Sequence, residues 1–253
     1  MYKQGFRTFI VSIGMIFVAA MFPAMAGTIV SDGTFAPSDW SLTSYNAYGN
    51  GGTVTATQET SGGNPGDYRL IQEAVNGAPS GSTSSSVVGV DIYTAASYDP
   101  SISGPLTSLD FSIDAECPAN GGSCFGQGQG VFAALVQGGN TYVDFLGVTN
   151  ANSSWNTLTA DGLTAASFGL LDFSSGGYSN PSVNPDFTAG GAPIAFGFAT
   201  YNSTGTGDSG YEIDAGYDNF RIDAVPEPVS LVLLATALTG AAIGRRRRTE
   251  AGA

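Results

Sequence analysis

The stretch Leu109-Asp110-Phe111-Ser112-Ile113-Asp114-Ala115-Glu116 sets an apolar side chain at every odd position and a polar one at every even position. Successive side chains of a strand point to opposite faces, so this pattern is a strand with one buried face and one wet face. Outward from it, strand signatures recur at Thr53–Gln58, Tyr68–Glu73, Val87–Thr94, Val131–Gln137, Thr141–Leu146, Ile194–Tyr201 and Phe220–Ile222. Turn residues break the chain between them at intervals of about eight to twelve residues, the spacing of all-β domains. Gly138-Gly139-Asn140 makes a hairpin of its two neighbours. Residues Asn76–Ser86 and Ser174–Gly191 read as loops, helix signals are sparse, and no fixed-period repeat marks a solenoid or propeller. The expected fold is all-β, an antiparallel β-sandwich of jelly-roll type.

The two ends read differently from this body. Lys3 and Arg7, an apolar run from Phe9 to Phe22, and Ala24-Met25-Ala26 are the charged region, apolar region and small-residue site of a signal peptide, so residues 1–26 are expected to be removed. Residues 229–244 are apolar or small and are followed by Arg245, Arg246, Arg247 and Arg248. As a transmembrane helix they would span about 24 Å, and the long arginine stems would reach the rest of the way to the interface. The arginines place that terminus in the cytoplasm, which puts the body, residues 27–224, outside. Ala224–Pro228 is expected to be a short linker.

Charge narrows the function further. The body holds 19 of the 21 acidic residues and only two cations, Arg69 and Arg221, for a net −17, with no lysine and no histidine anywhere in it. Such a surface repels phosphate backbones, so nucleic acid is excluded as a partner. Without histidine, Ser–His–Asp and Cys–His chemistry is unavailable, and without lysine in the body so are Schiff-base and Ser–Lys chemistry. Cys117 and Cys124, separated by Pro118 and Gly121-Gly122, are expected to form a disulfide in an oxidising compartment, the alternative being free thiols. Zinc would want further Cys or His ligands that the body lacks.

Two resemblances follow from particular residues. Val225-Pro226-Glu227-Pro228, then the apolar run, then the four arginines resemble in their order the PEP-CTERM sorting signal of Gram-negative bacteria, residues 225–253 here. That resemblance implies processing by signal peptidase and an exosortase, transient membrane anchoring, and delivery to the cell envelope or extracellular matrix. Phe35, Trp40, the turn Ser61-Gly62-Gly63-Asn64-Pro65-Gly66-Asp67-Tyr68 and the closing Ala215-Gly216-Tyr217-Asp218-Asn219-Phe220-Arg221-Ile222 are similar to bacterial laminin-B-like and carbohydrate-binding jelly-roll modules, with Asp67 in place of the turn's second glycine. Such modules often hold a structural calcium ion and sometimes a sugar.

Candidate sites come from both lines. Asp218 shares the parity of Phe220 and Ile222, so it is expected to start the closing strand on the inward side. The resemblance makes it a Ca2+ ligand together with Asp32 of the first strand; the alternative is an aspartate capping a turn through backbone N–H groups. Asp110, Asp114 and Glu116 share one strand face and invite comparison with a glycosidase carboxylate pair, but no apolar pocket marks a raised acid. Trp40, Trp155, Tyr142, Tyr178, Tyr201 and Tyr217 are sugar platforms or core. Tyr45 and Tyr48, in a stretch read as a loop, are the expected exposed patch.

Three functions fit these features. The first is a non-catalytic module that binds polysaccharide or matrix. The second is a structural or adhesive surface protein bridged by calcium. The third is a carboxylate-only enzyme acting on glycosides. The expectation is the first, and no catalytic residue is assigned.

Overall fold

Period-two patterning is realised as thirteen strands across the described residues, which in this computed structural model are 27–226 apart from 82, 83 and 175–177. In chain order they are β1 (Gly27–Asp32), β2 (Trp40–Tyr48), β3 (Gly52–Gly63), β4 (Gly66–Val75), β5 (Ser85–Tyr93), β6 (Leu106–Glu116), β7 (Gly130–Gln137), β8 (Asn140–Val148), β9 (Asn156–Leu163), β10 (Gly169–Leu171), β11 (Ser179–Asn180), β12 (Ile194–Thr204) and β13 (Tyr211–Pro226). Described helix is confined to α1 (Pro100–Ser103) and a 3-10 turn at Ala165–Ser167, and no described helix is long and apolar enough to cross a membrane. The expected signal peptide at 1–26, Glu227, Pro228, the expected membrane helix at 229–244 and Arg245–Arg248 lie outside the described residues.

All pairing between strands is antiparallel and falls into two sheets. One runs β3-β4-β13-β6-β9 with β1 also on β13; the other runs β11-β10-β8-β7-β12-β5-β2. The last strand is central: Tyr211–Tyr217 pairs with β4, Gly216–Pro226 pairs with β6, and β1 takes up the side that β4 leaves. Val225 lies opposite Ser108 and Pro226 opposite Leu106, so the stretch expected to be a linker begins as strand. The β7–β8 hairpin turns on Gly138 and Gly139, whose φ values of +59° and +82° demand glycine, as the sequence predicts.

The inner faces of the two sheets share one core. Phe111, Ile113, Tyr217 and Phe220 from the first sheet meet Leu135, Phe196 and Phe198 from the second, and Trp40 stands among them, 5.1 Å from the ring of Phe220 and 5.7 Å from that of Phe198. Burying each side chain of this size contributes about 1.5–3 kcal/mol. The odd positions of the Leu109–Glu116 stretch all enter this interior.

The interior also holds charge. Arg69 on β4 donates to both carboxylate oxygens of Asp91 on β5, at 2.7 and 3.1 Å, and ties the sheets together with both side chains buried. Along the same strand, Glu73 is fully buried and accepts hydrogen bonds from Thr200 Oγ1 at 2.6 Å and Asn202 Nδ2 at 2.7 Å. Burial pushes its carboxyl up to about 7, against the pull of those donors. The expected Cys117–Cys124 disulfide is formed, with Cys117 buried in the core and Cys124 packed against it. It closes a loop clamped to Asp214, which accepts from Ser123 N at 2.6 Å and donates its own N–H to Ser123 O at 2.8 Å. Ala119 of that loop is buried against Tyr68 and Leu70.

Candidate functional site: an aromatic outer face

The seven-stranded sheet is apolar on both faces. Along β5, β7 and β12 the inward residues alternate with a second apolar set, and the register aligns that set across the sheet: Ala199 opposite Val90 and Phe132, Tyr201 opposite Val88, Phe132 opposite Phe145, and Tyr45 opposite Val88. An antiparallel sheet with one face on the core commonly turns a polar face to water. Here Val88, Val90, Phe132, Ala134, Val143 and Ala199 are all buried on the outer side, under a layer that includes Tyr45, Leu171, Phe173 and Tyr201.

That covering layer is aromatic and only partly buried. Phe173 lies 6.2 Å from Tyr45 and 6.3 Å from Tyr48, while Phe132 holds Phe145 at 5.1 Å and Tyr178 at 4.8 Å, with Tyr201 a further 6.2 Å from Tyr178. Phe145 is 50% exposed and Tyr178 38%. Beside Tyr45 opens a groove of about 400 Å³, lined by Asn140, Thr141, Leu171, Asp172 and Phe173. Flat rings that keep an exposed face, bordered by an amide and a hydroxyl, offer stacking and hydrogen bonding together. Neither cation of the body reaches this face, because Arg69 is held inside by Asp91 and Arg221 donates to Asp223 on the other sheet.

The structure redistributes the candidate aromatics. Tyr45 and Tyr48 are not in a loop: they belong to β2, which pairs with β5 through a bulge between Asn46 and Tyr48, and the turn begins only at Gly49. Tyr178 and Tyr201 join them on the outer face, whereas Trp40, Tyr142 and Tyr217 are core. Trp155 packs edge-on against Tyr68 outside the other sheet. Sequence reasoning missed Phe132, Phe145 and Phe173. A signal for Phe132 was present, since Val131-Phe132-Ala133-Ala134-Leu135 is apolar at both parities, the mark of a strand buried on two faces.

The candidate acids form a separate arrangement beneath the β3–β4 turn. Asp218 does not face inward with Phe220. A bulge at Asn219, with φ +51°, breaks the parity, so Asp218 sits opposite Asp114, on the side away from the core. The turn lies over it: Asn64 N–H donates to Asp218, Asn219 Nδ2 donates to Asn64 O, and a Cβ on Gly63 would stand 2.8 Å from Asp218 Oδ2. Burial raises the Asp218 pKa, the Asn64 and Asn219 N–H groups oppose it, and Asp114 and Asp32 add to the rise. Asp32 accepts from Thr34 N, Thr34 Oγ1, Phe35 N and Trp40 Nε1; burial pushes its pKa up, but these four donors, Trp40 foremost, leave it below the usual value.

Calcium wants six to eight oxygen ligands. The amide nitrogens of Asn64 and Asn219 point instead at Asp114, at 3.0 and 2.8 Å, and N–H donors take both oxygens of Asp32 and of Asp218. Among the described residues no group of three or more His, Cys, Asp or Glu could hold a metal ion. This arrangement fits the turn-capping alternative rather than a calcium cage. Asp110 accepts from Gly162 N at 2.7 Å and Asp114 from Thr157 Oγ1 at 2.6 Å, so these two acids are engaged separately, and burial raises the pKa of Glu116.

No family model and no curated protein matches this chain. Solved structures do. A xylan-binding domain from CBM22 is 13% identical, with 79% of this chain and 95% of that one covered and a TM-score of 0.36. The mannan-recognising carbohydrate-binding module TmCBM27 is also 13% identical, covering 79% and 99%, at a TM-score of 0.37. SGBP-B, from a xyloglucan utilization locus of Bacteroides uniformis, is 15% identical over 68% and 46%, at 0.30. Likeness at this level carries no ligand across to this chain.

Proposed function

We propose that this chain is a non-catalytic polysaccharide-binding protein of the bacterial envelope or matrix. The observation that carries this reading is the outer face of the seven-stranded sheet, where Tyr45, Phe173, Phe145 and Tyr178 keep ring surface in water beside a polar-edged groove. Sugar rings present one apolar C–H face and a rim of hydroxyls. An aromatic platform with amide and hydroxyl neighbours complements both. The jelly-roll reading fits the β-sandwich and its central closing strand. Export and sorting complete the proposal: signal peptidase removes residues 1–26, and an exosortase recognises Val225-Pro226-Glu227-Pro228 while residues 229–244 and the arginine tail hold the chain with its C-terminus in the cytoplasm. Support for that part is the order of these segments in the sequence.

The test is affinity electrophoresis of the exported protein through gels containing the producing cell's exopolysaccharide. Retardation by wild type and its loss in a Tyr45→Ala/Phe145→Ala/Tyr178→Ala variant with an unchanged far-UV spectrum is the expected result. Equal mobility of wild type with and without polysaccharide would refute the proposal.

A further inference from the structure

Exposed hydrophobic side chains scattered singly need no explanation. Ile102, on α1 and 83% exposed, is of that kind. Phe125 is different. At 63% it is the most exposed of the large aromatics among the described residues, and its ring lies 4.8 Å from that of Tyr211 at an interplanar angle of 31°. Together they border a pocket of about 300 Å³ whose wall also includes Ser203, Thr204, Asp208 and Ser209. It shares no residue with the groove beside Tyr45.

The ring of Phe125 is also held in place. Cys124 before it is fixed by the bond to Cys117, Ser123 is clamped to Asp214 through two hydrogen bonds, and Phe125 O accepts from Gly128 N at 3.0 Å. Tyr211 is anchored at its far end by its hydroxyl, which donates to Ser203 O at 2.8 Å. A flexible loop would hide a phenyl ring from water at little cost. Here the residue before the ring is fastened by a disulfide and the ring stays outside, which is the arrangement that lowers the ordering cost of binding.

From this geometry we infer that Phe125 and Tyr211 form a second ligand site, taking a single pyranose unit of a neutral glycan. The volume is at the lower end for ligand pockets, roughly 300 Å³, and suits one ring rather than a chain. The polar wall offers hydroxyls and the Asp208 carboxylate to sugar hydroxyls, and it contains no cation to receive an acidic sugar. The site shares with the proposed function only its class of ligand. With two separate sites, one molecule can hold two glycan strands, and binding to a polymer gains from effective concentration.

Titration calorimetry of the full-length protein in mild detergent with cellohexaose, xylohexaose and mannohexaose tests the inference, using wild type, Phe125→Ala, the triple outer-face variant, and the two combined. Expected is residual binding in the triple variant that Phe125→Ala weakens about tenfold or more, the loss typical of an aromatic anchor. Phe125 is mostly in water, so its variant should melt as wild type does, and that melt is the control for folding. Binding abolished by the triple variant alone overturns the second site and leaves the first. Residual binding that survives the combined variant also overturns it. No binding by wild type to any of the three overturns both readings for neutral hexose and pentose chains.

Discussion

Glu73 gives the sharpest quantitative expectation. Its carboxyl moves from an ordinary value of 4.5 to about 7 because the side chain is sealed between the sheets, with Thr200 and Asn202 rather than a cation as its partners. A tenfold change in an acid's dissociation constant corresponds to about 1.4 kcal/mol, so the difference amounts to about 3 kcal/mol. The sign follows from proton counting. Below pH 4.5 the carboxyl is protonated in both folded and unfolded chains and the stability is fully present. Between pH 4.5 and 7 the folded chain holds a proton that the unfolded chain has released, so stability falls by about 1.4 kcal/mol per pH unit and is then level. Other carboxylates titrate in the same range, so the informative quantity is the difference between wild type and Glu73→Gln. The amide cannot ionise, and whatever it costs by facing Asn202 Nδ2 is independent of pH. Urea unfolding followed by tryptophan fluorescence, to which the buried Trp40 reports, supplies the free energies at each pH. The wild-type advantage over the variant should shrink by about 3 kcal/mol from about pH 4.5 to about pH 7.5. An advantage that stays constant across that range refutes the assignment of a raised carboxyl to Glu73.

Three further outcomes follow. Asp91→Ala leaves the Arg69 guanidinium buried without its partner and should cost about 3–5 kcal/mol in urea unfolding, whereas Arg69→Met with Asp91→Leu should lie close to wild type. Reducing Cys117–Cys124 releases a short loop and should lower stability by about 2–3 kcal/mol, measured as the difference between melts with and without reductant and matched by the Cys117→Ser/Cys124→Ser variant. Because N–H and O–H donors already satisfy Asp32, Asp114 and Asp218, millimolar EDTA should leave the melting temperature where it is; a rise on adding calcium that EDTA reverses would restore the calcium reading.

Central strands are legible in the sequence and most edge strands are not, for a physical reason. Every strand expected from the sequence pattern falls on β3–β8, β12 or β13, and most of these keep an apolar parity over several residues. β2 and β9 are outermost strands of their sheets, and β9 reads Asn156-Thr157-Leu158-Thr159-Ala160-Asp161-Gly162-Leu163, with a single fully buried residue. A strand that pairs along one edge and buries little of either face leaves only a faint alternation. β10 and β11, at three and two residues, are too short to show a period. The candidate site suffers from the same weakness. Tyr45 and Tyr48 stand out in the sequence as aromatics outside any recognised strand, yet it is their place on β2 that carries them to the outer face. One bulge moves Asp218 from its expected side, since a single left-handed residue at Asn219 exchanges the faces of everything on either side of it, and no period in the sequence announces it.

Charge bears on the proposed ligand more firmly than any single residue does. The body's two cations are each held by an aspartate, Arg69 by Asp91 inside the sandwich and Arg221 by Asp223 at its surface. The remaining acids therefore set a field of one sign around a body of net −17. An acidic polysaccharide approaching the outer face would meet that field with no arginine or lysine to receive its carboxylates, and burying such a group unpaired is costly. A neutral chain meets no such penalty, because ring stacking and hydroxyl contacts depend little on the surrounding potential. If the outer face binds glycans as proposed, selection for neutral chains would arise twice, from the aromatic face at close range and from the field at a distance. Added salt should relax only the second, so weak binding of an acidic polysaccharide should improve with ionic strength while binding of a neutral one stays level.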